Sequence, residues 1–353
     1  MTPGGTSTPS KRPGVGAALG AALLFSAGTP LAKLLLVDTS PWLLAGLLYA
    51  GSGIGLSLYR IVRRAPPQRL SASEWPWLAG AILSGGVVGP VLLMLGLTHS
   101  LASSASLLLN AEGLFTALLA WFVFRENFDV RIVLGMLAIV AGALVLAWPA
   151  QGRFTDAMPA LLILGACLAW AIDNNLTRKV SLADATWIAA VKGLSAGGVN
   201  LVLAFAQGAA WPPLPAVAGA LLLGCVAYGA SLALFVIGLR DLGTARTGAY
   251  FSVAPFFSAV LAIVLLNEPL TPRLVIAGAL MAVGVWLHLT EQHRHEHIHE
   301  ALEHDHMHVH DAHHQHRHDP ATPYATRHSH RHRHEPLAHS HVHFPDAHHR
   351  HDH

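Results

Sequence analysis

Ala102-Ser-Ser-Ala-Ser-Leu-Leu-Leu-Asn-Ala-Glu-Gly-Leu-Phe-Thr-Ala-Leu-Leu-Ala-Trp-Phe-Val-Phe124 contains a single charge, Glu112, within an otherwise apolar run. A hydrocarbon core about 30 Å thick takes roughly 20 helical residues to cross. Runs of that kind recur at Gly14–Leu36, Pro41–Val62, Trp75–Leu97, Ala102–Phe124 and Val130–Trp148. They return at Met158–Asn175, Ala185–Phe205, Ala216–Leu239, Gly243–Leu266 and Pro272–Leu289. Backbone polar groups in lipid must be bonded within the segment, so each run reads as a helix. The expected fold class is an all-α integral membrane protein with ten transmembrane helices and a disordered tail.

Composition agrees. Of 353 residues 53% are hydrophobic and 12% charged, against about a quarter charged in soluble domains. The pattern breaks near Thr290, where the apolar runs end. Before them, Met1–Pro13 is small, polar and basic, and Gly14–Leu36 is too long for a cleaved signal sequence, so it reads as a retained signal anchor. A net charge of +2 without a basic, aromatic-laced stripe gives no reason to expect a nucleic-acid partner. Cys167 and Cys225 sit inside apolar runs and form no disulfide framework or metal signature. No GxSxG, HExxH or phosphate-binding glycine loop is present, so no enzymatic activity is expected.

Basic residues set the expected orientation. With the N-terminus in the cytoplasm, twelve Lys or Arg fall inside, among them Arg60, Arg63, Arg64, Arg178 and Lys179. Three fall outside: Lys33, Arg153 and Arg273. Both termini are therefore expected in the cytoplasm, with the protein in a plasma membrane of the bacterial inner-membrane type.

Shifting the chain by 142 residues lays Gly96–Leu144 over Gly238–Trp286 without a gap. Gly96/Gly238, Phe115/Phe257, Ala117/Ala259, Glu126/Glu268, Arg131/Arg273 and Gly142/Gly284 are identical pairs. Residues 1–13 form a cytoplasmic segment, 14–149 and 157–290 the two repeats, and 291–353 the tail. Five helices per repeat is an odd number, so the halves are expected to sit upside down relative to each other. Inverted repeats of this kind place a transporter's site near the midplane, between the halves.

The stretch Ser103 to Trp121, followed by Arg125-Glu-Asn and Leu134-Gly-Met-Leu-Ala-Ile-Val-Ala-Gly-Ala-Leu-Val, resembles the EamA domain of the drug/metabolite transporter superfamily. Ala249-Tyr-Phe-Ser-Val-Ala-Pro-Phe-Phe-Ser-Ala-Val-Leu-Ala, with Asn267-Glu-Pro and Ala277-Gly-Ala-Leu, is similar to a second copy. The resemblance covers nearly all of residues 14–290. It implies a ten-helix transporter working by alternating access, usually exporting metabolites, amino acids or drugs. The family's Glu-Pro pair is split here: the first copy has Glu112-Gly113 and the second Ala254-Pro255.

Charge inside a span is costly and marks a candidate site. Glu112 lies about ten residues into its helix, roughly 15 Å deep, either as a coupling carboxylate or as a structural one beside a helix break at Gly113. Lys192 has three readings: pairing with Asp173 or Glu112, binding an anionic substrate group, or snorkelling to the interface. Asp173 is a further candidate beside Asn174 and Asn175, which capping explains. Asn110, Trp170, Tyr250 and Ser252 face the expected cavity as contacts or as packing. Glu126 and Glu268 read as helix caps.

The tail holds 23 of the 25 histidines, mostly as His-x-His: His293, His295, His297 and His299; His304, His306, His308 and His310; His328, His330, His332 and His334; His339, His341 and His343. With few aliphatic residues it is expected to be disordered. Imidazole suits zinc, nickel, cobalt and copper, so a divalent metal on the tail is expected, with no cofactor required. With histidines neutral the tail has six Arg against ten acidic residues, and their protonation would draw it toward anionic lipid. Expected partners are the lipid bilayer, a small-molecule substrate, divalent metal ions and a second copy in a homodimer. The leading expectation is a secondary transporter exporting a small organic solute. The alternatives are divalent transition-metal efflux and a non-transporting membrane sensor of metal or pH.

Overall fold

The computed structural model describes residues 13–68, 70–124, 130–148, 154–180, 183–242, 247, 250–289, 293–299, 303–308, 328–333 and 337–343. The chain divides into two units, Met1–Glu291 and Gln292–His353.

The first unit is helical. In chain order it contains α1 (Pro13–Ser26), α2 (Gly28–Leu35), α3 (Pro41–Val62), α4 (Trp75–Ala81), a π-helical segment (Ile82–Val88), α5 (Gly89–Thr98), α6 (Ala102–Leu108), α7 (Ala111–Phe124) and α8 (Val130–Ala147). These are followed by α9 (Phe154–Thr177), α10 (Ala185–Ala206), α11 (Leu214–Leu223), a second π segment (Gly224–Ala230), α12 (Ser231–Leu242), α13 (Ala254–Leu266) and α14 (Pro272–Leu289). Local chemistry sets several ends. Ser40 caps α3, its hydroxyl accepting from Leu43 N–H at 3.3 Å, with Pro41 in the first turn. Asp184 caps α10 through Trp187 N–H at 2.9 Å. At the far end of α3, Ala65 N–H bonds Arg60 O and Arg64 N–H bonds Ile61 O, both at 3.0 Å. That is a Schellman stop, and it holds Arg64 at φ 49° where glycine is usual.

Among the described residues, six helical stretches are long and apolar enough to cross a membrane. They are Gly14–Leu35, Pro41–Val62, Trp75–Thr98, Ala157–Thr177, Ala185–Ala206 and Leu214–Gly238. The sequence led us to expect ten. Val133–Ala147, Ala254–Leu266 and Pro272–Leu287 are apolar but shorter. The Ala102–Phe124 run is interrupted at Leu109–Asn110, where the Asn110 amide donates to Leu107 O at 2.9 Å. The outer surface is apolar: Leu137, Leu161, Val202, Leu222 and Val264 are all more than half exposed. A soluble monomer rarely shows so much exposed aliphatic surface; a bilayer is its matching solvent.

Glycines bring the helices together. α3 crosses α10 with Gly53 against Leu194, Ala50 against Gly197 and Gly46 against Leu201, an antiparallel run of contacts. A Cβ on Gly53 would sit 2.5 Å from Leu194 N. α8 crosses α14 in the same sense. There Gly142 meets Ala277 O and Gly284 meets Gly135 O, at 3.0 and 2.7 Å from where a Cβ would be. The 142-residue offset turns the first contact into the second. The two π segments, Ile82–Val88 and Gly224–Ala230, stand at the same offset.

In the second unit, where disorder was expected, four strands are described: β1 (His293–His299), β2 (Glu303–His308), β3 (His328–Arg333) and β4 (Leu337–His343). β1 pairs antiparallel with β4 and β2 with β3. The His-x-His alternation has the strand period of two, so backbone pairing is available to it even without an aliphatic core.

Candidate functional site

The second half of α9 presents Trp170, Asp173, Asn174 and Thr177, spaced i, i+3, i+4 and i+7, the spacing of one helix face. That face meets α7, α10 and the first π segment. Lys192 of α10 reaches both Asp173 carboxylate oxygens, at 2.5 and 2.7 Å. It also donates to Thr177 Oγ1 at 3.2 Å, and Thr177 in turn donates to Asp173 at 2.8 Å. The ion pair is sheltered, with side chains 17% and 8% exposed. Next to it, Asn174 donates from Nδ2 to Glu112 Oε1 at 2.9 Å and to Thr116 Oγ1 at 3.3 Å.

The π segment explains how a carboxylate and two aromatics fit here. A π turn leaves carbonyls free of the regular helical ladder, and side chains take them up. Tyr49 hydroxyl and Trp170 Nε1 both donate to Gly85 O at 2.8 Å, and Asn200 donates to Gly86 O at 3.0 Å. Gly85 itself makes room, since a Cβ there would lie 2.0 Å from Asp173 Oδ2. The result is two carboxylates, one ammonium, an amide and an indole–phenol pair grouped where four helical elements converge.

Glu112, Asp173, Lys192 and Trp170 thus come together. Of the two partners considered for Lys192, the structure places Asp173 against it and gives Glu112 to Asn174. Asn110 lies apart, buried, with its amide turned to Leu107 O and Met281 Sδ. Tyr250 and Ser252 are half-buried ahead of α13. Neither the Asn174–Glu112 bond nor the Lys192–Asp173 pair involves them. Sequence reasoning passed over Tyr49, Thr116 and Thr177 and read Asn174 as a cap. The spacing along α9 was the available signal for Asn174 and Thr177; nothing local in sequence marks Tyr49.

At one end of the bundle the two repeats are joined by polar contacts. Glu268, 9% exposed, accepts from Ala102 N–H and Ser103 N–H at 2.7 and 2.8 Å. It is a cap, as expected, but of α6 in the other repeat; Glu126 lies outside the described residues. At the same end, but within the first repeat, Lys33 donates to the carbonyls of Leu97, Thr98 and Ser100 at 2.5, 3.1 and 3.0 Å. Arg273 donates to Val145 O at 2.6 Å and to Trp148 O.

Among the described residues, no three His, Cys, Asp or Glu side chains gather as a metal site would require. In the tail, the ladders set His293 opposite His343, His295 opposite His341 and His297 opposite His339. They also set His304 opposite His332, His306 opposite His330 and His308 opposite His328. His299 lies opposite Leu337. His310 and His334 lie outside the described residues.

Residues 12–148 and 157–290 each match the model of the EamA-like transporter family. An uncharacterized transporter of Methanothermobacter thermautotrophicus is 28% identical over 287 residues, which cover 76% of this chain and 83% of the relative. A protein of Streptantibioticus cattleyicolor named as a probable terminal-alkyne amino-acid exporter is 27% identical over 223 residues, 62% of this chain and 75% of the relative. One crystal structure, at 20% identity, superposes with a TM-score of 0.60 over 79% of this chain and 96% of its own, a likeness of fold alone. With both halves matched and a bundle of apolar helices between them, this chain belongs to the EamA-like transporter family, a family of multi-pass membrane proteins.

Proposed function

We propose that the chain is a secondary transporter that exports a small organic solute, an amino acid or a molecule of similar size and charge. It would work by alternating access, with ten helices in two inverted repeats. The observation that carries the reading is the Glu112–Asn174–Asp173–Lys192 cluster. Two carboxylates and an ammonium in a sheltered site match a zwitterion: its ammonium would take Glu112 and its carboxylate would compete for Lys192. The exporter name of the Streptantibioticus cattleyicolor relative points to the same class of cargo. The paired contacts of α8 with α14, related by the 142-residue offset, support the inverted arrangement.

Alternating access needs ends that close in turn. In our reading the Glu268, Lys33 and Arg273 contacts form the closed outer end, with both termini in the cytoplasm of a bacterial cell. The tail histidines would hold a divalent metal such as zinc, nickel, cobalt or copper, as a buffer or regulator rather than as cargo.

Counterflow in proteoliposomes tests this. Liposomes preloaded with one unlabelled amino acid at a time should take up its labelled form, while radioactive zinc and nickel should bind without crossing. Metal accumulating inside the liposomes, with no amino acid exchanged across the panel, would make efflux of metal the better account.

A further inference from the structure

A cavity of about 410 Å³ opens between α3 and α10 at the opposite end from Glu268. Ser57, Arg60, Ile61, Arg64, Trp187 and Leu194 are among its lining residues, and no carboxylate is among the described residues that line it. Arg60 is committed to protein partners: it donates to Asp184 at 2.6 Å, to Thr186 at 2.9 Å and to Pro66 O at 2.9 Å. Arg64 is different. The Schellman stop holds it in the left-handed region and exposed, and neither its guanidinium nor the Trp187 indole N–H has a polar partner among the described residues. The cavity therefore offers one uncommitted cation and one uncommitted donor to an anionic acceptor.

Its surroundings say which one. Tyr59 under Arg63 and Trp77 under Lys179, at 5.8 and 6.0 Å, and the edge-to-face pair Trp75–Trp187 make an aromatic and basic girdle. Such girdles mark headgroup depth. From the cavity toward the middle of the bundle, α3 leaves Ile54, Leu58 and Ile61 exposed by 54%, 59% and 72%, one stripe at i, i+4 and i+7. A cation at headgroup depth above an apolar stripe has the shape of a phospholipid.

We propose that this cavity binds an anionic phospholipid. Arg64 holds its phosphate, Trp187 donates to an ester oxygen, and the acyl chains lie along Ile54, Leu58 and Ile61. Arginine suits the phosphate because its planar fork matches two oxygens at once.

The test is lipid retention by the full-length protein in mild detergent, read by native mass spectrometry. The ligands are phosphatidylglycerol, phosphatidylcholine or inorganic phosphate, each added alone and the last also in competition. Arg64→Gly is the informative variant, because glycine takes the left-handed backbone without strain and the fold is kept. We expect wild type to favour phosphatidylglycerol and Arg64→Gly to bind it about fivefold more weakly. Unchanged binding by Arg64→Gly would overturn the proposal, as would equal retention of phosphatidylcholine. Displacement of the lipid by inorganic phosphate would overturn it too, by making this a free-phosphate site.

Discussion

Lys192 and Asp173 are worth more broken than made. Removing one partner leaves the other as an uncompensated sheltered charge, at a cost of about 3–5 kcal/mol, whereas replacing both by neutral groups is often nearly free. Lys192→Met should therefore lower the thermal midpoint strongly in detergent, and Lys192→Met with Asp173→Asn should recover most of it. Recovery of stability without recovery of transport would separate the pair's packing role from its binding role. Asp184 gives a pH dependence at the basic end. Burial pushes its carboxyl up, but the Thr186 hydroxyl, the Trp187 N–H and Arg60 outweigh that and hold it below its ordinary 3.8. A depressed carboxyl stabilises the fold above the unfolded value and loses that contribution as pH falls through the folded one. The thermal midpoint should thus fall as pH drops through and below the ordinary carboxyl value of 3.8, with a shallower slope in Asp184→Asn.

At the scale of elements, the π segment is the device that admits the polar cluster. Gly85→Ala would push a methyl into Asp173 Oδ2, so the helix must shift or the ion pair must move. We expect a lower thermal midpoint and loss of transport together, whereas Gly198→Ala, on α10 with nothing within 4 Å, should alter neither. The α8–α14 crossing makes a parallel case. Gly142→Ala and Gly284→Ala should be similarly destabilising, because each puts a methyl about 3 Å or less from a facing carbonyl oxygen. Much of this level was legible in sequence. The apolar runs, the caps and the 142-residue offset all follow from local pattern, and Glu112, Asp173 and Lys192 stood out because charge in lipid demands a reason. The π segments were not legible, since a π turn differs from an α turn by one residue of register and leaves no compositional mark. Tyr49 was hidden for the same reason: its role exists only because Gly85 has a free carbonyl 36 residues away. The helix break, which one of the two readings of Glu112 put beside Gly113, lies one turn earlier at Asn110, where an amide can satisfy a carbonyl.

For the whole molecule, the account joins two repeats at one closed end and places a polar cluster of both charge signs between their helices. Glu268→Ala removes the carboxylate that caps α6 across the repeats, a loss of about 1–2 kcal/mol on the scale of helix caps. It should shift the molecule toward the state open at that end, read as faster labelling of a cysteine introduced at Ser100. Transport itself is the most direct test. Full-length protein and Glu112→Gln, each in sealed proteoliposomes with an imposed proton gradient, would be followed for uptake of the amino acid that exchanges best. The account predicts gradient-driven accumulation by wild type and its loss in Glu112→Gln, with the variant folded and still inserted. Undiminished accumulation by Glu112→Gln, or accumulation of zinc in place of any organic solute, would contradict it.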